Sequence, residues 1–117
     1  MLDFYFEDRG ENDEILVIKL SGKLDTTQAN YLSTVVEKRI KRGHKKVILD
    51  CEGLDHISSM GLGLMIRLHS KMKKLGGDVR LAGVQGVVSD AIRLVKLDTI
   101  LGVYDTVDDA VGAADVH

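Results

Sequence analysis

The sequence predicts an α/β fold, with a mixed, mostly parallel β-sheet of about five strands and about four helices. From Ile15 onward, short apolar runs typical of strands alternate with segments whose apolar residues recur at helical spacing. Parallel strands need helical crossovers, and an opening hairpin would add an antiparallel edge. The 117 residues suffice for one modest hydrophobic core and contain no repeat or linker. We therefore expect residues 1–117 to form a single domain.

The composition restricts the class of protein without identifying a partner. The 16 basic and 18 acidic residues give a net charge of -2, too weak to favour nucleic acid or an anionic membrane. The single cysteine, Cys51, cannot form an internal disulfide, and the first residues lack the features of a signal peptide. No apolar run reaches the ~20 residues that cross a bilayer. These features predict a cytoplasmic protein with no membrane insertion and no nucleic acid partner.

The beginning of the chain predicts a β-hairpin. Residues 2–6 and 15–20 have the apolar and aromatic content of strands. Gly, Asn and Asp in residues 8–13 suit the turn between them. We expect Ser21 and Gly22 to end the second strand, because these residues commonly interrupt regular structure.

A first helix is predicted directly after this break. Asp25, followed three residues later by Gln28, is typical of a helix N-cap and its partner in a capping box. A basic last turn and Gly43 then indicate the end of the helix. The apolar residues at helical spacing are Leu32, Val35, Val36 and Ile40. One face of this helix should therefore pack on the sheet.

The middle of the chain predicts a buried strand, a loop and an amphipathic helix. Residues 46–51 form an apolar run of the kind that is covered on both faces of a sheet. Residues 52–58 are expected to form a loop, and the helix is expected to extend from there to Gly76 and Gly77. Its apolar stripe consists of Leu62, Met65, Ile66, Leu68, Met72 and Leu75.

The last third of the chain continues the alternation of strands and helices. We expect a strand over residues 79–82, a helix over 87–97, a strand over 100–104 and a short helix over 107–114.

No metal or cofactor site is predicted among the polar residues. His56 and His69 lack a companion ligand at metal spacing, so structural roles are expected for them. Cys51 is expected to be a small buried hydrophobe. Asp50 ends the predicted central strand, as the phospho-accepting aspartate of a response-regulator receiver does, but a receiver also needs a lysine after its last strand. No lysine follows Lys96, so Asp50 is expected to accept backbone hydrogen bonds.

Residues 57–63 are the most informative segment, because two adjacent hydroxyls precede an apolar helix there. We expect Ser59 to be the helix N-cap, with its oxygen accepting from an N–H of the first turn. The unpaired N–H groups and dipole at this end would tolerate a phosphate on the serine. Gly61 is expected to leave the backbone bare and open to a partner. The segment therefore predicts a switchable docking site.

Three stretches resemble the STAS domain family of anti-sigma factor antagonists, namely residues 22–25, 47–50 and 57–63. The resemblance covers essentially the whole chain, which implies that residues 1–117 form a single STAS-like domain. Its most specific part is the hydroxyl pair before Gly-Leu-Gly. In that family, the serine two positions before the first of these glycines is phosphorylated by a partner that is both anti-sigma factor and kinase. The corresponding residue here is Ser59. The chain has Ser58 where the family often has Asp, and Met60 where it has a small residue.

The resemblance implies a reversible binding protein and not an enzyme. In its unphosphorylated form it would bind an anti-sigma factor with serine kinase activity, and so release a sigma factor. Phosphorylation at Ser59 would end the binding, and a serine phosphatase would restore it. ATP and magnesium would belong to the kinase, so the chain itself would carry no cofactor. The residues expected at the partner interface are Asp25, Ser58, Ser59, Met60, Gly61 and Leu62.

Two other functions stay open at this point. A STAS module without phosphorylation would act as a ligand-responsive or structural subunit of another complex, in transport or stress signalling. A small serine hydrolase is a remote alternative, because the nucleophile elbow needs a glycine where this chain has Ile57. A triad base is also unassigned. A co-purifying small molecule or transport complex would support the first, and ester turnover the second.

Overall fold

A five-stranded sheet forms the centre of the structure, which is a computed structural model that describes residues 2–113. The strands lie side by side in chain order; the first pair is antiparallel and the other pairs are parallel. The strands are β1 (Leu2–Arg9), β2 (Ile15–Leu24), β3 (Lys46–Ile57), β4 (Asp78–Ala82) and β5 (Gly102–Tyr104). The helices are α1 (Thr26–Ile40), α2 (Ser59–Lys74), α3 (Gly86–Leu94) and α4 (Val107–Gly112), with a 3-10 turn at Leu97–Thr99. The predicted fold class is confirmed.

The helices cover the two faces of the sheet unequally. Helices α1, α2 and α3 pack on one face and share the main hydrophobic core, while α4 covers part of the other face with a smaller cluster. Alternate residues of β2 point to opposite faces, so Leu16 and Ile18 join the main core and Val17 joins the smaller one. Each fully buried aliphatic side chain contributes roughly 1.5–3 kcal/mol. This explains why β2 and β3 are apolar on both faces.

Strands β2 and β3 run further than the sequence suggests. The expectation that Ser21 and Gly22 end the second strand is wrong, because β2 continues to Leu24. The loop expected over residues 52–58 is also wrong, because β3 continues to Ile57. The two strands stay paired in parallel along this added length. Together the added segments form an extension that continues past the end of β4, and the start of β1 pairs with its β2 strand as far as Gly22.

Two β-bulges accommodate this extension. Lys19 pairs with Asp50, but Ser21 pairs with Gly53, so β3 contains one more residue than β2 over this stretch. A second extra residue of β3 follows between the partners of Gly22 and Lys23. Bulges bend a strand without ending it, and glycine is common there. A Cβ on Gly53 would lie 2.7 Å from the Cβ of Ser21, so the close approach of the strands requires glycine. Small residues that look like breakers in the sequence therefore serve strand pairing.

Other boundaries differ by a few residues. The first strand extends to Arg9 instead of residue 6. Helix α3 ends at Leu94 instead of residue 97, because Lys96 has a left-handed backbone with φ of 60°. The last strand begins at Gly102 instead of residue 100. The final helix ends at Gly112, because Ala113 has an extended backbone, and residue 114, its predicted end, lies outside the described residues.

A hydrogen-bonded His–Asp pair, of which only the histidine is buried, lies at the amino-terminal edge of the parallel strands and could not be read from the sequence. His44, in the basic run after α1, has a side chain only 5% exposed, and its Nε2 lies 2.7 Å from Oδ1 of Asp8 on β1. Its Nδ1 lies 2.9 Å from the backbone oxygen of Arg39. The hydrogen bond to His44 is the main cause that lowers the pKa of Asp8, and the nearby Arg39 guanidinium lowers it further. The pair ties β1 to the segment between α1 and β3.

Candidate partner-binding site

The extension of β2 and β3 places the start of α2 beyond the rest of the sheet. β4 ends at Ala82, opposite Asp50, whereas β3 continues from there to Ile57 before α2 begins. The backbone N–H of Ser58 donates to the backbone oxygen of Leu24 over 2.9 Å. Because Asp25 follows Leu24 directly, the start of α1 lies beside the start of α2. The structure therefore brings together the two segments that the sequence analysis singled out.

Ser58, and not Ser59, is the N-cap of α2, which corrects the expectation from the sequence. Its backbone is extended, with φ of -88° and ψ of 171°. Its Oγ accepts a hydrogen bond from the N–H of Gly61 at 3.1 Å. The longer strand explains the offset, because pairing of β3 as far as Ile57 holds Ser58 in the extended form that a cap requires.

Ser59 is the first helical residue, and its side chain is exposed. Within residues 2–113 no hydrogen bond involves its hydroxyl. The first turn of α2 contains no acidic side chain, so the positive end of the helix dipole is not neutralised within the helix itself. The hydroxyl is therefore accessible, and an anionic group attached to it would be favoured by the helix.

Gly61 is buried, which corrects the expectation that it presents a bare surface. A Cβ at this position would lie 2.7 Å from Cγ1 of Ile57 and 3.0 Å from both Cγ and the backbone oxygen of Leu24. Gly61 thus allows α2 to pack closely on the ends of β2 and β3. The open glycine is Gly63, where a Cβ would have only the Arg67 side chain within 4 Å.

The apolar residues of the first turns are divided between the core and the surface. Leu62 is half-buried and packs against the main core. Met60 is 36% exposed, and Ile66 is 45% exposed less than two turns further along α2. Ser59 is therefore next to an apolar surface that a partner can cover.

Asp25 occupies the N-cap position of α1 as predicted, but its carboxylate does not cap the helix within the described part of the chain. Its backbone oxygen accepts from the N–H of Ala29 over 2.9 Å. The side-chain amide of Gln28 lies against the carboxylate and bonds to it when the amide nitrogen faces Asp25. Gln28, the expected capping-box partner, is therefore in contact with Asp25. The two side chains form a hydrogen bond with each other instead of with backbone N–H groups.

The cysteine and the other acidic residue that the sequence analysis singled out have structural surroundings. Within residues 2–113, no three His, Cys, Asp or Glu side chains come together as metal ligands do. Cys51 is fully buried, as predicted, and burial raises the pKa of its thiol to about 12, which leaves it unreactive. Asp50 accepts from the backbone N–H of Glu52 at 3.1 Å, as predicted, although in a bulged strand and not in a loop. None of the helices described is long and apolar enough to span a membrane.

Several proteins are similar to this chain in sequence or in fold. A Thermotoga maritima protein provisionally named an anti-sigma factor antagonist is 23% identical over 99 residues, covering 84% of this chain and 88% of the relative. The structure of the anti-sigma factor antagonist SpoIIAA in its unphosphorylated form superposes with a TM-score of 0.82 at 21% identity, covering 97% of this chain and 100% of that one. The phosphorylated form of SpoIIAA from Bacillus gives a TM-score of 0.74 at 21% identity, with 93% and 96% covered.

At these identities the solved structures establish likeness of fold. The family model for the STAS domain matches residues 8–110, which include all of β2, β3 and α2 and the whole of the site described above. The chain belongs to the STAS domain family.

Proposed function

We propose that this protein is an anti-sigma factor antagonist that is controlled by phosphorylation of Ser59. In its unmodified form it binds an anti-sigma factor with serine kinase activity, so that a sigma factor is released. The kinase partner transfers phosphate to Ser59 and the complex dissociates. A serine phosphatase restores the binding form. The chain itself catalyses no step and acts in the cytoplasm by reversible association.

The difference between the two adjacent serines is the observation that supports this proposal most directly. Ser58 Oγ is occupied as an acceptor for the Gly61 N–H, and Ser58 is half-buried. Ser59 is exposed at the first helical position. A kinase needs an accessible hydroxyl, and a helix N-terminus stabilises the phosphate once it is attached. Ser59 meets both conditions.

The surroundings of Ser59 explain how phosphate would end binding without unfolding the domain. Met60, Leu62 and Ile66 give the proposed interface an apolar part, and Asp25 adds a carboxylate from the start of α1. Phosphate adds about -1.5 to -2 charge beside this surface. A partner surface that fits the unmodified serine supplies no cation or hydrogen-bond donor of its own for this charge, and covering it would cost about 3 kcal/mol or more. That cost corresponds to roughly a hundredfold loss of affinity.

A binding titration with defined forms of the protein tests the proposal. The kinase partner, identified by affinity capture with the unmodified domain and mass spectrometry, is titrated with the unmodified protein and with protein carrying encoded phosphoserine at position 59. Ser59→Ala and Ser59→Asp are measured beside them at two salt concentrations. We expect Ser59→Ala to bind like the unmodified protein, Ser59→Asp to bind more weakly, and the phosphorylated form to bind most weakly.

The salt series separates the physical causes of the loss. Charge repulsion is partly screened, since the Debye length is about 8 Å at physiological ionic strength, whereas a steric clash is not relieved by salt. Equal affinity of the phosphorylated and unmodified forms would contradict the proposal. In that case the domain would be a STAS module that works without phosphorylation in another complex.

A further inference from the structure

Arg67 lies on the same face of α2 as Ser59, with a glycine between them. Ser59, Gly63 and Arg67 are each four residues apart, and side chains at this spacing are neighbours on a helix surface. Arg67 is exposed, and none of its atoms has a hydrogen-bond or ion-pair partner in the part of the chain that the structure describes. It is thus an unpaired guanidinium on the face that carries the proposed switch.

The Arg67 side chain points back toward Ser59. A Cβ built on Gly63 would lie 3.5 Å from Nη1 of Arg67, and apart from the helix backbone and the two neighbouring residues no other described atom lies within 4 Å of it. The guanidinium has therefore already crossed one helical turn over the bare backbone of Gly63. About one further turn, ~5.4 Å along the axis, separates it from the level of Ser59. A phosphate extends several ångströms from the serine backbone, so contact requires the phosphate to lie along the helix toward an extended Arg67 side chain.

We propose that Arg67 binds the phosphate on Ser59 within the same helix, so that the modified residue is held against the surface of α2. The inference rests on the proposed function, because it requires phosphate at Ser59. Arginine suits the task because its planar guanidinium can donate two parallel hydrogen bonds to phosphate oxygens. Gly63 keeps the path between Arg67 and the phosphate free of a side chain.

Other charged groups meet the start of α2 from neighbouring elements. They are Lys23 near the end of β2, Asp25 before α1, and Asp55 and His56 near the end of β3. Lys23 is paired in register with His56 on the extension. All of them are retained when Arg67 is replaced, so a comparison of Arg67 variants isolates the contribution of the guanidinium.

The test measures the ionisation of the phosphate in the full chain with phosphoserine encoded at position 59, without kinase or partner. The 31P NMR chemical shift is followed through the second ionisation, which has its midpoint near pH 6 in an unperturbed phosphoserine. Arg67→Gln should raise this midpoint by about half a pH unit, as expected for one exposed charge pair. Arg67→Lys should give an intermediate value, because it keeps the charge and loses the paired donors.

Lys74→Gln is the matched control. It removes one positive charge from the last turn of the same helix, about 22 Å along the axis from Ser59 and well beyond the Debye length. Its midpoint should equal that of the parent phosphoprotein. The inference is overturned if Arg67→Gln leaves the midpoint unchanged, or if Lys74→Gln raises it as much.

Failure of this inference can be distinguished from failure of the proposed function. The proposed function is tested by the affinity for the partner, whereas this inference is tested by the pH midpoint of the phosphate ionisation. Arg67 is exposed, so its variants should keep the circular dichroism spectrum and melting temperature of the unphosphorylated domain. A shift of the 31P midpoint with unchanged melting of the unmodified variant supports direct binding of the phosphate. A shift accompanied by general destabilisation of the unmodified variant would contradict it.

Discussion

The start of α2 has an inward side and an outward side, and each contains one serine and one glycine. The two residues serve the packing of the helix on one side and are accessible on the other. Ser58 and Gly61 face β2 and β3: the serine caps the helix, and the glycine allows close packing against Leu24 and Ile57. Ser59 and Gly63 face outward, where the hydroxyl is exposed and the glycine has only Arg67 beside it. The inward side thus contributes to stability, and the proposed regulation would act on the outward side. The predictions that follow separate the two sides.

The largest effect should come from a side chain on the inward glycine. Gly61→Val would place a methyl-bearing carbon within 3.0 Å of Ile57 and Leu24, and overpacking of this kind costs about 1–3 kcal/mol of the free energy of unfolding. The measurement is chemical denaturation followed by circular dichroism.

Gly63→Ala is the outward control for that experiment. Its Cβ would be in ordinary contact with Arg67, and alanine is favoured over glycine in a helix by about 0.5–1 kcal/mol, so this variant should be as stable as the parent or more stable. Equal destabilisation by both substitutions would contradict the division into two sides.

A substitution at the opposite edge of the sheet should affect stability without affecting the site. Asp8→Asn leaves His44 buried without its carboxylate, at a cost of roughly 1–3 kcal/mol at neutral pH. Because the pKa of Asp8 is lowered in the folded state, the pair stabilises the protein above the ordinary pKa of aspartate and is lost as the pH falls through the lowered value.

The difference in stability between parent and Asp8→Asn should therefore shrink as the solution is made strongly acidic. Denaturation at several pH values between neutral and acid measures it, and partner affinity at neutral pH is the second readout. A constant difference across this range would show that the ion pair is not responsible. A loss of partner affinity in the folded variant would show that the two edges of the sheet are coupled.

A smaller effect distinguishes the two serines by stability alone. Ser58→Ala removes the acceptor for the Gly61 N–H and should cost about 1 kcal/mol. Ser59→Ala removes an exposed hydroxyl without a described hydrogen bond and should stay within about 0.5 kcal/mol of the parent. Melting temperatures of the two variants under identical conditions provide the comparison. The reverse order would assign the cap to Ser59, as the sequence alone suggests.

The sequence predicts the architecture well, because the type of each element follows from the spacing of its apolar residues. The alternation of apolar runs and helical stripes is sufficient to predict five strands and four helices, most of them within a few residues of their observed positions. Long-range pairing is not visible in such a pattern. Ser21 and Gly22 look like a break, yet they continue β2, because β3 lies alongside and bulges accommodate the mismatch.

The same long-range effect explains the errors at the candidate site. Extension of β3 to Ile57 moves the cap from Ser59 to Ser58, and the packing of α2 on Leu24 turns Gly61 inward. The partnership of His44 with Asp8 joins residues distant in sequence and has no local signal. The choice of Ser59 as phosphate acceptor came from the family resemblance, and its exposed position in the structure gives that choice an independent physical basis.

The most direct test of the account is to identify the serine that receives phosphate. The kinase partner and ATP are incubated with the parent protein, Ser58→Ala and Ser59→Ala, and the modified residue is located by mass spectrometry of peptides. The account predicts that Ser58→Ala is still phosphorylated, at Ser59, and that Ser59→Ala is not phosphorylated at all. Phosphate found on Ser58 in the parent and in Ser59→Ala would contradict the central claim that the outward serine is the switch.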